Sequence, residues 1–165
     1  MSMEQHRKAA PASVRCFVLT ISDTRTEADD ISGDAIAALL TAADHVLTGR
    51  AIVQDDPAAV EAAVREHATS AQALITTGGT GITSRDNTYD AITRLLEKRL
   101  DGFGELFRAL SYQEIGSAAM LTRACAGTMG RTAIFSLPGS EHAVRLAMTK
   151  LILPEMGHVV RELNR

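Results

Sequence analysis

Two breaks in the sequence place glycine directly after apolar runs, where backbone groups can bind a ligand. The first, Gly78-Gly79-Thr80-Gly81, follows the run Ala73-Leu74-Ile75-Thr76-Thr77, and the second is Pro138-Gly139-Ser140. Glycine removes the side chain, so backbone N–H groups can approach an anion and form a concave nest. A helix behind such a loop adds about half a positive elementary charge. We interpret the first break as a phosphate-binding loop; the alternative is that its glycines only permit a tight turn.

Two familiar nucleotide-binding motifs do not account for this loop. The sequence contains no GxxxxGK[ST], so the lysine of the P-loop is missing. The stretch GTGITS lacks the third glycine of the dinucleotide fingerprint, which disfavours NAD binding. The loop therefore belongs to another kind of phosphate-handling protein.

Acidic residues follow the same strands that lead to the glycine loop. Asp23 follows the first apolar run, Asp55 follows the second, and Asp86 lies five residues after Gly81. If the three strands are parallel neighbours, these carboxylates meet at one edge of the sheet, where Mg²⁺ would bind them together with substrate phosphates. The alternative is that loop acids are simply solvated. Asp86 stands out from the others, and we expect it to be the metal ligand.

Arginines near these acids offer the opposite charge. Arg85 precedes Asp86, and Arg123 begins a later strand. Phosphoryl oxygens become more negative in a transition state, and fixed guanidinium groups would stabilise that charge. The five histidines are scattered, so we assign them no chemistry.

Composition excludes several classes of protein. The 165 residues carry 17 Lys+Arg against 20 Asp+Glu, a net charge of −3, whereas a nucleic-acid binder normally has a basic excess. No apolar run approaches the ~20 residues that span a bilayer. The polar residues 1–12 have no signal-peptide core and are predicted to be a disordered tail before a single domain over 13–165. Two unpaired cysteines indicate a reduced, cytoplasmic protein without structural metal.

The periodicity of apolar residues alternates between strand and helix. Short apolar runs predict strands over 14–21, 45–53 and 73–77, and apolar spacing of i, i+3, i+4 predicts helices between them. Asp56 before Pro57 is a typical helix start. Residues 123–128 and 132–137 flank Met129-Gly130-Arg131 and predict a hairpin. A C-terminal helix reaches Leu153, and Pro154 is expected to separate it from a last short helix.

This order predicts the α/β class. Strands that alternate with helices pair in parallel and carry helices on both faces. We expect a three-layer sandwich with a mostly parallel central sheet and an antiparallel hairpin. In such sheets the loops at the carboxyl ends of the strands bind ligands. The helix that carries Phe103, Leu106, Phe107 and Leu110 needs a partner for its apolar face, either the sheet or another subunit.

Several ordered motifs resemble one family. TTGGTG followed by SRD, then DGFGELFR, SYQEIGS, TRACAG and LPGS closely resembles the MogA/MoaB family of molybdenum-cofactor biosynthesis. The resemblance runs from about Val14 to Leu153, and the EADDISG and SYQEIGS stretches are more similar to the MoaB branch. It implies a molybdopterin-binding domain that forms a homotrimer or a hexamer. From composition and hydropathy we expect neither nucleic acid nor a membrane as a partner.

The resemblance also implies an activity and its residues. Molybdopterin would receive AMP from Mg-ATP on its terminal phosphate, and pyrophosphate would leave. Asp55 and Asp86 match the essential carboxylates, and Asp86 would bind Mg²⁺. The positions that match the binding loops are Ser22, Asp23, Ser32, Gly33, Gly78, Gly79, Thr80, Gly81, Glu105, Arg123, Pro138, Gly139 and Ser140. A non-catalytic molybdopterin-binding or scaffold protein with the same pocket is the alternative.

Overall fold

A six-stranded sheet forms the centre of the protein. The computed structural model describes residues 2–165. The strands are β1 Arg15–Ile21, β2 Val46–Val53, β3 Ala73–Thr77, β4 Lys98–Arg99, β5 Cys125–Met129 and β6 Thr132–Leu137. Their order is β2-β1-β3-β6-β5-β4: the first four pair in parallel, and β5 pairs antiparallel with both β6 and β4. The mostly parallel sheet and the hairpin are confirmed.

Helices cover both faces of this sheet. They are α1 Met3–Lys8, α2 Ile31–Ala42, α3 Pro57–Ala68, α4 Thr88–Leu95, α5 Asp101–Ile115, α6 Glu141–Ala147 and α7 Leu153–Leu163, with a 3₁₀ helix over Gly116–Leu121. One buried cluster joins the sheet to α2, α5, α6 and α7, and a second joins it to α3 and α4. The three-layer arrangement is therefore also confirmed.

The first strand shows why the apolar runs are continuous. Cys16 and Val18 belong to one buried cluster, whereas Phe17 and Leu19 belong to the other. A parallel strand with helices on both faces has no solvated side, so its sequence is apolar at every position.

Local signals in the sequence position the helices as expected. The Asp56 carboxylate accepts a hydrogen bond from the backbone N–H of Ala59 at 2.9 Å, and Pro57 occupies the first turn of α3. Gly130 has φ +59° in the hairpin turn. Asp30 caps α2 in the same way, but it is almost fully buried, because its carboxylate also contacts Thr20 and Arg50.

Two terminal segments differ from expectation. Composition predicts a disordered tail over residues 1–12, whereas residues 3–8 form α1; Met1 lies outside the described residues. The Ser2 hydroxyl accepts a hydrogen bond from Gln5 N at 3.2 Å, and Gln5 Oε1 accepts one from Ser2 N at 2.7 Å, a capping box that composition does not reveal. Near the other end, Pro154 does not interrupt the helix, because it lies in the first turn of α7 after a π-helical segment over Met148–Ile152.

The apolar face of α5 is divided between two environments. Phe103 and Phe107 are buried against the sheet, whereas Leu106 is 57% exposed. No helix among residues 2–165 is both long and apolar enough to cross a bilayer.

Candidate functional site

The loops after β1, β2 and β3 meet at one edge of the sheet. Because β2, β1 and β3 are neighbours, the carboxyl ends of all three strands lie side by side. The backbone N–H of Asp55, after β2, donates to Asp23 Oδ1, after β1, at 3.0 Å. The Arg85 guanidinium also pairs with Asp23, so the loop after β3 joins the same group. This edge therefore brings together the carboxylates that strand order alone predicts to be close.

The glycine loop passes through this edge in a conformation that favours glycine. Gly78 has φ +105° and Gly79 has φ +72°. The Gly78 N–H donates to the carbonyl of Leu137 at 2.9 Å, which ties the loop to the end of β6. A β-carbon on Gly79 would lie 2.8 Å from Thr88 Cβ and 2.9 Å from Asp55 Oδ2. The missing side chain thus lets the loop run directly beside a carboxylate and the start of α4.

Asp55 and Asp86 each keep one carboxylate oxygen without a hydrogen-bond donor from residues 2–165. Asp55 Oδ1 accepts from Asn87 N at 3.1 Å, and its Oδ2 faces Gly79. Asp86 Oδ2 accepts from Thr83 N at 2.9 Å and from Thr83 Oγ1 at 2.7 Å. A β-carbon on Gly81 would lie 2.7 Å from the same Asp86 oxygen. The two carboxylates therefore flank the glycine loop, and each has one oxygen open.

The charges of the three acids differ in how they are balanced. Burial raises the pKa of the Asp55 carboxyl, the hydrogen bond from Asn87 N opposes this rise, and the nearby charges of Asp86 and Asp23 raise the pKa further. In contrast, the hydrogen bond from Arg85 lowers the pKa of Asp23. Asp55 and Asp86 thus repel each other, which a cation between them would relieve. Carboxylate oxygens are ligands that Mg²⁺ binds in proteins, together with substrate phosphates and water.

Arg123 holds the glycine loop through several hydrogen bonds. Its backbone N–H donates to the carbonyl of Thr80 at 2.8 Å, and its Nε donates to that of Gly81 at 3.0 Å. Its Nη2 reaches the carbonyl of Asp86 at 3.0 Å, and the guanidinium carbon lies 4.9 Å from the centre of the Tyr89 ring. A single side chain thus holds the loop, the segment that carries Asp86 and the start of α4 together.

The second break closes the other side of the glycine loop. Ser32 Oγ donates to the carbonyl of Gly139 at 2.7 Å, and Thr77 Oγ1 donates to that of Pro138 at 2.8 Å. Ser140 Oγ accepts from Ala143 N and caps α6. A hollow of about 160 Å³ lies between these segments. It is lined by Thr20, Ile21, Ser22, Arg25, Asp30, Ser32, Thr77, Gly78 and Gly139.

Two of the predicted site residues are not part of this arrangement. Glu105 is exposed on the second turn of α5 and does not line the hollow. Gly33 is buried, and a β-carbon there would lie 2.7 Å from Asp30 Cγ and 2.8 Å from Arg50 Nη2. Glycine at position 33 therefore leaves room for the ion pair between the buried Asp30 and Arg50.

Sequence reasoning missed residues that orient the acids. Asn87 donates to Asp55 from both its backbone and its side chain, and Thr83 holds Asp86. It also missed a basic cleft of about 250 Å³ on the far side of Arg123, which Arg99 and Arg108 line as well. The available signal for Asn87 was its position directly after Asp86. No sequence signal indicated the cleft, because its arginines come from three separate segments of the chain.

Comparison with known proteins is consistent along the whole chain. Residues 17–158 match the family model described as a probable molybdopterin binding domain. Molybdenum cofactor biosynthesis protein B of Bacillus cereus is 53% identical over 168 residues, which cover 100% of this chain and 99% of that protein.

Solved structures agree with the sequence comparison. A crystal structure of a molybdenum cofactor biosynthesis protein B has a TM-score of 0.90 at 54% identity, with 94% of this chain and 99% of that chain covered. The tungsten cofactor synthesizing protein MoaB from Pyrococcus furiosus has a TM-score of 0.87 at 40% identity, with 94% and 100% covered.

Proposed function

This chain belongs to the family of molybdopterin-binding domains and, within it, to the molybdenum cofactor biosynthesis proteins of the MoaB type, and from that premise we propose that it is a molybdopterin adenylyltransferase. It would bind molybdopterin and Mg-ATP and transfer AMP to the terminal phosphate of the pterin. The products would be adenylyl-molybdopterin and pyrophosphate.

One observation carries the proposal: Asp55 and Asp86 flank the glycine loop, each with one open oxygen, and burial with like charge raises the pKa of Asp55. Concentrating negative charge next to a loop suited to phosphate is unfavourable unless a cation is bound with it. If these acids had only a structural role, a basic side chain paired with each would make the fold more stable, as Arg85 does for Asp23.

The reaction needs alignment more than protein nucleophiles. A terminal phosphate oxygen of molybdopterin forms a bond to the α-phosphorus of ATP, and the bond from that phosphorus to the bridging oxygen breaks, so the electron pair leaves with pyrophosphate. Catalysis of such a transfer is positioning together with stabilisation of charge. Bound Mg²⁺ would supply positive charge to the phosphate oxygens, with Asp86 and Asp55 as its protein ligands.

The other residues of the edge have separate tasks in this proposal. The N–H groups of the glycine loop would hold phosphate oxygens at a site without side chains. Arg123, already held by the carbonyls of Gly81 and Asp86, would present positive charge with little loss of side-chain freedom. The hollow between Ser22, Ser32 and Gly139 would receive part of one substrate.

The direct test is product formation. The protein would be incubated with molybdopterin, Mg-ATP and pyrophosphatase, and adenylyl-molybdopterin would be measured by mass spectrometry. We expect product only when Mg²⁺ is present. The absence of product at high protein concentration, with molybdopterin nevertheless bound, would contradict the proposal.

One observation favours the second candidate, a non-catalytic molybdopterin-binding or scaffold protein. Asp86 Oδ2 accepts two hydrogen bonds from Thr83, so this carboxylate has a structural task in closing its own loop. The two candidates predict different behaviour for Asp86→Asn. The amide oxygen can still accept from Thr83, so pterin binding survives under both, but only the transferase loses an activity.

We also propose that the protein forms a homotrimer or a hexamer in the cytoplasm. Leu106, Tyr112, Ile115, Met120 and Leu121, on α5 and the following 3₁₀ helix, are between 48% and 77% exposed. Large apolar side chains exposed along one segment in this way are typical of an interface. Light scattering should report three or six chains, and Met120→Glu should lower that number. A monomeric wild-type protein would contradict the assembly but not the transferase.

A further inference from the structure

Three arginines from separate segments of the chain line one cavity, the basic cleft. Arg99 lies on β4, Arg108 on α5 and Arg123 just before β5, and the cleft between them has a volume of about 250 Å³. The rest of its lining includes the apolar side chains of Leu96, Leu100, Met120, Ala124 and Ala126. An apolar wall lowers the local polarity, so the arginine charges act more strongly there than they would in open water.

Two of these arginines keep hydrogen-bond donors that the protein does not use. Arg108 Nη1 donates to the carbonyl of Ala124 at 2.9 Å, and Arg99 Nη1 lies 3.5 Å from the Tyr89 hydroxyl. Within residues 2–165 neither arginine forms an ion pair, and Asp101, which also lines the cleft, is exposed and pairs with neither. The remaining N–H groups are therefore available to an anion, and guanidinium groups bind phosphate oxygens through such paired donors.

The three positive charges act on the same part of the cleft wall. Burial raises the pKa of the Cys125 thiol to about 11, and the charges of Arg99, Arg108 and Arg123 each oppose that rise. A β-carbon on Gly104 would lie 2.5 Å from Arg108 Nη2, so the absence of a side chain at this position lets the guanidinium lie beside α5. The arginines thus line one space instead of spreading over the surface.

Burial distinguishes the basic cleft from a larger hollow at the amino ends of the parallel strands. Arg15, Arg65 and Arg131 line that hollow, and they too form no ion pair in the part of the chain that the structure describes. All three are exposed, so water solvates them, whereas Arg108 and Arg123 are half-buried and have lost part of their hydration. An anion bound in the cleft restores interactions that water no longer supplies there, while an exposed arginine gains little from a partner.

The cleft adjoins the glycine loop at the end that carries Gly81. Arg123 Nε donates to the Gly81 carbonyl at 3.0 Å, and Thr122 Oγ1 lies 3.3 Å from Thr80 Oγ1. The hollow of about 160 Å³ adjoins the other end of the loop, at Gly78, and shares no lining residue with the cleft. The glycine loop therefore has a separate cavity beside each of its ends.

We propose that the basic cleft binds the β- and γ-phosphates of the nucleotide and holds them as pyrophosphate once AMP is transferred, an assignment that rests on the proposed adenylyl transfer. In such a transfer the attacking oxygen and the leaving oxygen lie roughly in line on either side of the α-phosphorus. With that phosphorus at the glycine loop, the pterin phosphate attacks from the hollow. The bond from the α-phosphorus to the bridging oxygen breaks, and pyrophosphate takes that electron pair into the cleft, where Arg99 and Arg108 stabilise the charge.

Calorimetric titration of the full chain with magnesium pyrophosphate tests the site. We expect one pyrophosphate per chain, with affinity about tenfold weaker in Arg99→Met and in Arg108→Met, since each variant loses charge-assisted hydrogen bonds. The matched control is Arg131→Met, which removes an unpaired arginine from the hollow at the amino ends of the strands and should leave the affinity unchanged. Affinity that survives either cleft substitution, or that falls equally in the control, would overturn the site.

The two cleft variants differ in what else they remove. Arg108→Met also loses the hydrogen bond to the carbonyl of Ala124, so circular dichroism is used to check its fold. The Arg99 side chain holds no backbone group within residues 2–165, and Arg99→Met therefore removes the charge without disturbing the fold. If Arg108→Met does not fold, the pyrophosphate affinity of Arg99→Met decides the result alone.

Nucleotides of different length test which phosphates the cleft holds. AMP has only the α-phosphate, so its affinity should be unchanged in Arg99→Met, whereas the affinity for ATP should fall as much as that for pyrophosphate. An equal loss for AMP and ATP would overturn the assignment, because the cleft would then hold another part of the nucleotide. Product formation together with unchanged pyrophosphate affinity in the cleft variants contradicts this inference alone. Pyrophosphate binding that depends on both arginines, without product formation, contradicts the transferase alone.

Discussion

The two edges of the parallel strands differ in what they leave open. At the amino edge, a hollow of about 590 Å³ lies among Arg15, Gln72, Glu97, Arg131 and their neighbours. At the carboxyl edge, the hollow beside the glycine loop has about 160 Å³ and the basic cleft about 250 Å³. By volume alone, the amino edge would be the better candidate for a site.

The pattern of hydrogen bonds favours the carboxyl edge instead. At the amino edge, Gln72 exchanges hydrogen bonds with the backbone of Arg15, Thr132 Oγ1 donates to the carbonyls of Ala68 and Ala71, and Glu97 Oε1 accepts from Gly130 N. At the carboxyl edge, two carboxylates keep open oxygens beside a loop without side chains. Unbalanced charge and accessible backbone, rather than empty space, therefore distinguish the candidate site.

The largest expected difference between the two edges is in the rate of adenylyl transfer, when a single carboxylate at one edge or the other is replaced by its amide. Asp86→Asn should lower adenylyl transfer at least about 100-fold, because the ligand for the cation is lost while the hydrogen bonds from Thr83 remain. Glu97→Gln at the amino edge is the matched control and should leave the rate unchanged. Initial rates of product formation measure both. Equal rates in the two variants would mean that the edges do not differ.

A glycine at each edge gives the next largest effect. Gly79→Ala should lower the free energy of unfolding by about 2–4 kcal/mol, because a side chain is strained at φ +72° and would collide with Thr88. Gly130→Ala has a similar φ of +59° but open space around it, and should cost only about 1–2 kcal/mol. Urea unfolding gives both values. If the two substitutions lower the free energy of unfolding equally, the close packing around Gly79 does not add to the cost.

Arginines test the same contrast for ligand binding. Arg123→Met should weaken Mg-ATP binding about tenfold, since it removes a positive charge held against the glycine loop. Arg131→Met, at the larger amino-edge hollow, should have no effect. Equilibrium binding of a fluorescent ATP analogue measures both variants. A greater loss of affinity in Arg131→Met than in Arg123→Met would indicate that the nucleotide binds at the amino edge.

The smallest effect is a pH dependence of stability within the carboxyl edge. Folding raises the pKa of Asp55, so its ionisation disfavours the folded state once the pH exceeds the folded-state pKa, and the penalty is absent below the ordinary aspartate pKa. Asp55→Asn should therefore be more stable than the wild type at pH 7, and this difference should disappear in acid.

Asp23 provides the opposite sign. Its pKa is lowered by Arg85, so it contributes stability above the ordinary aspartate pKa, which is lost as the pH falls through the lowered value. Asp23→Asn should be less stable than the wild type at pH 7. Urea unfolding at several pH values measures both variants. If both substitutions lower the free energy of unfolding at pH 7, the charge of Asp55 does not destabilise the folded state.

Much of the fold could be predicted because its signals are local. The apolar run of β1, the cap of Asp56 before Pro57 and the glycine in the hairpin turn each depend on residues close in sequence. The misses have the opposite character. α1 depends partly on contacts with α7, and the helix over Met148–Ile152 continues past Pro154 because a proline in a first turn does not lose a helical hydrogen bond.

The part of the candidate site that could be predicted is the part that follows from the order of the strands. Asp23, Asp55 and Asp86 follow strands that parallel topology makes neighbours, so their convergence could be expected. The partners could not be expected. Nothing local predicts that Asn87 holds Asp55 or that Arg123 braces the glycine loop, because each contact joins separate segments.

The sequence by itself determined most of the secondary structure, the parallel sheet and the position of the glycine loop, since each follows from periodicity and backbone preference over a few residues. Only the tertiary structure decided which acid is neutralised and which keeps an open oxygen. The physical reason is that charge balance and hydrogen bonding depend on distances of about 3 Å between segments far apart in the chain. No local pattern encodes those distances.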